Sequence, residues 1–163
     1  MTTARRVHHS YREYLELLEL SSVKLEYCDG EIDAMAGGTP THADLGASDL
    51  TTFPDVTVVY GERSTASIDR NAVVNPTLLV EVASSSTEGY DRGEKLSHYK
   101  QIASLVAVLI ISHRRRQVTV VERSSHGWQQ REARAGETVV IESLSLSLSV
   151  DELYAGVELD PSA

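Results

Sequence analysis

The sequence predicts an α+β or α/β domain with a mixed central sheet and flanking helices. Three observations point there: an amphipathic helical stretch opens the chain, a succession of short strand patterns follows, and one charged helical stretch stands between two apolar strands. The chain has 163 residues, enough for one hydrophobic core and one domain over 1–163. No linker divides it, so residues 1–52, 53–112 and 113–163 read as successive parts of that one domain.

The elements follow in order. In SYREYLELLEL, residues 10–20, Tyr11, Tyr14, Leu15 and Leu18 share one helical face. Ser10 is placed to cap this helix, and Glu13 completes a capping box. VKLEYCDGEIDAMAG predicts two strands around Asp29-Gly30, a strong hairpin turn signal. Residues 37–52 are small and polar without a period, and read as loop. A strand is expected from Asp55 to Tyr60, then a polar loop to Asn75-Pro76. TLLVEVAS, residues 77–84, is apolar on both faces and reads as a central strand.

A helix from Tyr90 to Ile102 should bury Leu96, Tyr99 and Ile102, with Ser86 or Thr87 as its cap. Leu105 to Ser112 is the next strand, and the basic turn His113–Arg116 follows it. QVTVVER and GWQQREAR pair around Ser124 to Gly127, with Trp128 packing on the sheet. ETVVIES is a strand, SLSLSLSV (143–150) alternates as a half-buried strand with its serines outward, and a short helix, Val150 to Tyr154, closes the domain.

The whole composition narrows the function. A net charge of −9 disfavours a protein that coats nucleic acid, because that binding needs clustered Lys and Arg. Carboxylate sites for divalent cations fit an acidic chain well. The longest apolar run, Leu105 to Ile111, is too short to span a bilayer, so no membrane partner is expected. Cys28 is the sole cysteine, so no internal disulfide can form and a reducing, cytoplasmic compartment is the expectation. Arg114 to Arg116 suit either phosphate contacts or a solvated turn.

Glu81 is the residue that needs explaining. With Leu79 it points to one face of an otherwise apolar strand, and a carboxylate on a covered face costs several kcal/mol, on the order of a lost ion pair, unless it is paired, protonated or bound to a metal. If the strand from Asp55 pairs antiparallel with it, Asp55 and Glu81 meet at one end of the sheet. The following helix then adds Lys95, one of three lysines in the chain. Two carboxylates and a lysine suit Mg²⁺-assisted (or Mn²⁺-assisted) hydrolysis of a phosphodiester. Plainer readings stay open: Lys95 as a solvated residue paired with Asp91, and Glu81 in a structural ion pair with an arginine such as Arg92.

These same residues carry a resemblance. PDVTVVYGE, NPTLLVEVASSSTEGYDRGEK and GWQQREARAGETVVIESLSLSLSVDELY resemble the bacterial Uma-type restriction endonuclease family of the PD-(D/E)XK nuclease superfamily. YREYLEL and KLEYCDGEIDAMAGGTPTHADL resemble that family's amino-terminal helix, hairpin and His-containing loop. The resemblance implies a restriction-endonuclease-like fold with its catalytic core in 53–112. It also implies a metal-dependent endonuclease acting on DNA, with Asp55 and Glu81 as metal ligands. The superfamily lysine expected two residues after the glutamate is Ala83 here, and Lys95 in the next helix takes its place. Glu31 and His42 match recurrent family positions near the site. Relatives have room for a long helix and a further strand between THADL and FPDV, whereas this chain has only GASDLTT. A core shortened between residues 44 and 53 would expose a sheet edge and favour a homodimer. It also makes a second reading available: an inactive family member acting as a binding or assembly module.

Overall fold

The computed structural model describes residues 8–35, 42–44, 50–83 and 93–159. Helix α1 (Tyr11–Leu20) starts at Ser10, whose hydroxyl accepts from the Glu13 N–H while the Glu13 carboxylate accepts from the Ser10 N–H, completing the expected capping box. The Tyr14 face of α1 lies on the first hairpin, β1 (Lys24–Cys28) and β2 (Glu31–Met35). Tyr14 donates to the Leu25 carbonyl at 2.9 Å, and its ring packs 5.3 Å from that of Tyr27. Asp29 (φ 48) and Gly30 (φ 86) take the left-handed conformations that this tight turn demands. At Gly30 the positive φ is what favours glycine; a Cβ there would stand 2.5 Å from Nδ1 of the exposed His8 ring, which would have to turn aside.

The first sheet is five-stranded, in the order β2-β1-β4-β3-β6. Its strands β3 (His42–Asp44) and β4 (Leu50–Thr52) fall inside the stretch that the sequence presents as loop, which is thereby corrected. Strand β6 (Ala72–Val73) similarly interrupts the expected loop before Asn75. Strands of two or three residues are too short to display a period; pairing with β1 and with one another is what makes them strands. Only residues 45–49 separate β3 from β4, too short a span for the long helix that the relatives have room for.

The second sheet, β10-β9-β8-β7-β5, is also five-stranded. It comprises β5 (Val56–Val58), β7 (Leu78–Ala83), β8 (Ala107–Ser112), β9 (Gln117–Ser124) and β10 (Gly127–Arg134). Strands β7 and β8 are parallel and the other pairs antiparallel, so the sheet is mixed as expected. The parallel pair needs a crossover, and helix α2 (Glu94–Tyr99) lies in it. This helix is shorter than predicted. Its expected first turn and its Ser86 or Thr87 cap lie outside the described residues. The predicted inward residues are buried: Leu96, Tyr99 and Ile102 pack with Leu79, Val108, Ile110 and Val121 in one core cluster.

The opposite face of this sheet carries a second core. Leu78, Leu109, Val118 and Val120 pack there against β11 (Thr138–Ile141), β12 (Leu146–Ser149) and α3 (Val150–Leu153). In the SLSLSLSV stretch exposed serines alternate with half-buried leucines as expected from 143 to 148, but only its second half is strand. Ser143 and Leu144 belong to a 3-10 turn over Glu142–Leu144, and Ser145 (φ 50) reverses the chain into β12. Tyr154 ties this layer down, its hydroxyl 2.6 Å from the Ser112 carbonyl and 2.8 Å from that of Gln117. Burial favours the neutral phenol, which raises its pKa despite those backbone contacts. Glu122 makes a further tie. Burial alone would raise its pKa, but hydrogen bonds from the Ser143 N–H (2.8 Å) and Arg131 (2.6 Å) outweigh this and lower it.

The layers therefore run α1, first sheet, α2, second sheet, then β11–β12 with α3. Helix α2 touches both sheets, and this sandwiching builds the site.

Candidate active site

Strands β5 and β7 pair antiparallel with Val56 opposite Val80, and this register carried one step further sets Asp55 opposite Glu81. The antiparallel arrangement needed to bring the two carboxylates together is therefore present. Asp55 is half-buried, and its Oδ2 accepts from the Val82 N–H at 2.7 Å, which fixes the carboxylate against the end of β7. Glu81 is only 5% exposed, because its face of β7 is roofed by α2.

Lys95 reaches the same place from α2. Its side chain is not a solvated helix residue: Lys95 is 0% exposed, and Nζ lies 3.0 Å from Glu81 Oε1. The same Nζ lies 3.5 Å from Glu26 Oε1 on β1. Glu26 is 3% exposed, so Lys95 bridges two buried carboxylates from different sheets. Four residues on, one helical turn away, Tyr99 donates its hydroxyl to Glu81 Oε1. Burial pushes the Tyr99 pKa well up, and the neighbouring Glu81 charge adds to the effect, so the phenol stays protonated and a donor. Tyr99 was expected in the core and is there; its hydrogen bond into the site is additional.

Glu26 was not expected at all. In KLEYC it alternates with Leu25 and Tyr27, which makes it look like an outward polar residue of a half-buried strand. The structure covers both faces of β1. Tyr27 faces α1, while Glu26 and Cys28 face α2. Alternation separates the two faces of a strand but does not say which are covered, so no local signal marks Glu26. Glu31, the acidic residue the resemblance singled out nearby, is half-buried and lies opposite Cys28 at the closed end of the hairpin. His42 opens β3, paired in register with Ala72; its side chain lies outside the described residues, as do Asp91 and Arg92.

The family model described as "Putative restriction endonuclease" (Uma2) matches residues 44–152. The chain belongs to this family. The Uma2 chain is also similar to two proteins of Synechocystis sp. "Uncharacterized protein slr1290" is 31% identical, with 91% of this chain and 92% of that protein covered. "Uncharacterized protein sll1609" is 28% identical, with 61% and 72% covered. Among solved structures, a crystal structure of "a putative nuclease belonging to DUF820" from Anabaena variabilis superimposes with a TM-score of 0.70. It covers 90% of this chain and 98% of its own, at 17% identity, so the likeness is one of fold. The mixed α+β architecture is thus the restriction-endonuclease-like one that the sequence led us to expect.

Among the described residues, Glu26 and Glu81 share the ammonium of Lys95, and Asp55 stands opposite Glu81 in strand register. Glu26 Oε1 is buried and, among the described residues, makes no hydrogen bond beyond its ion contact with Lys95. Hard carboxylate oxygens with surplus negative charge match Mg²⁺ or Mn²⁺. Among the described residues no helix of the Uma2 chain is long and apolar enough to cross a membrane.

Proposed function

We propose that this protein is a metal-dependent endonuclease that hydrolyses phosphodiester bonds of DNA, with Asp55 and Glu81 holding Mg²⁺ or Mn²⁺. The observation that carries this reading is the placement of Asp55 opposite Glu81 in register, with Lys95 enclosed 3.0 Å from Glu81. Family membership supports the reaction class and the DNA substrate. When bound, the cation would polarise the phosphate and acidify a water.

The chain's own residues do the positioning. The Val82 N–H holds the Asp55 carboxylate, while Lys95 and Tyr99 fix the position of Glu81. Lys95 is the charge stabiliser of the group, acting on Glu81 from behind. Because its amine is enclosed, it acts on the reacting phosphate through Glu81 and not by direct contact.

A thermal melt with and without millimolar Mg²⁺ or Mn²⁺ tests the site. Binding to the folded state raises the midpoint, by about 2.7 kcal/mol of stabilisation at one hundred times Kd. The Asp55→Ala/Glu81→Ala protein should lose that shift, and wild type should cleave DNA in preference to RNA when metal is present. A cooperative melt with no metal shift would overturn the reading.

That result would favour the second reading, an inactive module for binding or assembly. The full enclosure of Lys95 between two carboxylates is the observation on its side, since a purely structural ion cluster looks the same. A homodimer fits either reading. The outer edge of β6 is partly covered by residues 64–66 through the Thr65–Val73 bridge, but Ile68 beside it is 67% exposed and offers apolar surface. Sedimentation should give twice the 17.9 kDa chain mass; a cooperatively folded monomer would refute the dimer.

A further inference from the structure

A second cluster of ligand-type side chains lies beside the carboxylate site and takes no part in it. Cys28, Asp29, Glu94 and His98 each offer one ligand atom, and these atoms all lie within 4.8 Å of one another. Two come from the turn of the first hairpin, where the left-handed Asp29 follows the last residue of β1. The other two stand four apart on α2 and so share one helical face. The neighbouring column of that helix carries Lys95 and Tyr99 to Glu81. The sequence gives no hint of the cluster, because Cys28 and His98 are 70 residues apart.

The geometry is that of a coordination site. Cys28 Sγ lies 3.7 Å from His98 Nε2. Two such ligands bound tetrahedrally to Zn²⁺, at ordinary Zn–S and Zn–N lengths, stand about 3.6 Å apart. Asp29 and Glu94 are exposed and supply oxygens on the solvent side of the cluster. His98 is 9% exposed, and its Nδ1 makes no hydrogen bond among the described residues. Among the described residues the Nε2 contact is a long one to a thiol, a weak hydrogen-bonding group, and a cation held between Nε2 and the Cys28 sulfur would replace it with a coordinate bond.

The donor chemistry separates this site from the first. Sulfur and imidazole nitrogen select borderline cations, whereas the cluster at Asp55 and Glu81 is all oxygen. We propose that Cys28, Asp29, Glu94 and His98 form a binding site for a borderline divalent cation of the Zn²⁺ class. The bound ion pins α2 to the hairpin turn, and through α2 it sets the position of Lys95 and Tyr99.

Co²⁺ titrated into the chelator-treated full chain is the direct probe. Cys28 is the sole cysteine in the sequence, so a thiolate-to-cobalt charge-transfer band reports on this site alone. Wild type should develop that band to saturation, and Zn²⁺ should abolish it by displacement. Cys28→Ser should lose the band, His98→Gln should weaken binding by about tenfold or more, and Asp55→Asn should leave it unchanged. Absence of the band in wild type, or its loss in Asp55→Asn, overturns the proposal. A second readout needs no variant. Zn²⁺ should slow alkylation of Cys28 by about tenfold or more while Mg²⁺ does not, and equal rates with and without Zn²⁺ would refute the site.

Discussion

Lys95→Met is expected to lower the stability of this protein by about 3–5 kcal/mol, the usual cost of stripping one partner from a buried ion cluster. The substitution keeps the length and apolar stem of the side chain, so little packing is lost. What it removes is the charge that Glu26 and Glu81, 3% and 5% exposed, both face. Two buried carboxylates then confront each other without a cation among the described residues. Urea unfolding should show a lower midpoint at an unchanged slope, since the surface exposed on unfolding is the same. A loss of that size is a large share of the roughly 5–15 kcal/mol that holds a domain of this kind together. Adding Glu26→Gln and Glu81→Gln should restore much of it, because a neutral cluster needs no counter-charge. A Lys95→Met protein as stable as wild type would mean that the carboxylates are neutralised from elsewhere.

Asp55→Asn should have the opposite profile: stability near wild type and a cleavage rate lower by about 10²–10³-fold, several kcal/mol of lost metal-assisted stabilisation. The amide oxygen can still accept from the Val82 N–H, so the end of β7 keeps its anchor. Only the negative charge goes, and with it the hard anionic ligand that a divalent cation requires. Parallel measurements of cleavage and urea midpoint distinguish a ligand from a structural residue. Unchanged cleavage in Asp55→Asn would remove Asp55 from the metal site, whereas a large fall in midpoint would make it a structural residue.

The parts of the fold written in short-range chemistry were legible in the sequence. The Ser10–Glu13 capping box, the Asp29-Gly30 turn, the apolar faces of β7 and the inward set Leu96, Tyr99 and Ile102 all follow from spacing alone. Strands β3, β4 and β6 were not legible, because two or three residues hold no period and their pairing partners lie far along the chain. The same divide runs through the site. Asp55 and Glu81 could be brought together on paper because one antiparallel pair relates them. Glu26 could not, since its burial depends on α2 covering the outer face of β1. The enclosure of Lys95 was equally invisible. Helical spacing allowed a solvated pair with Asp91, and only the meeting of two sheets over one helix excludes a solvated amine.

Carrying the cation on α2, while Ala83 fills the strand position two residues beyond Glu81, has a consequence for how such a site can change over generations. Strand side chains alternate, so a lysine on β7 could move only by two residues, and each move would displace a core residue of the sheet. A helix offers equivalent positions a turn apart, and a long flexible stem can reach one carboxylate from more than one of them. The sheet that fixes the acids is therefore insulated from substitutions that relocate the cation. A lineage built this way can explore new positions for its positive charge while Asp55 and Glu81 stay where they are.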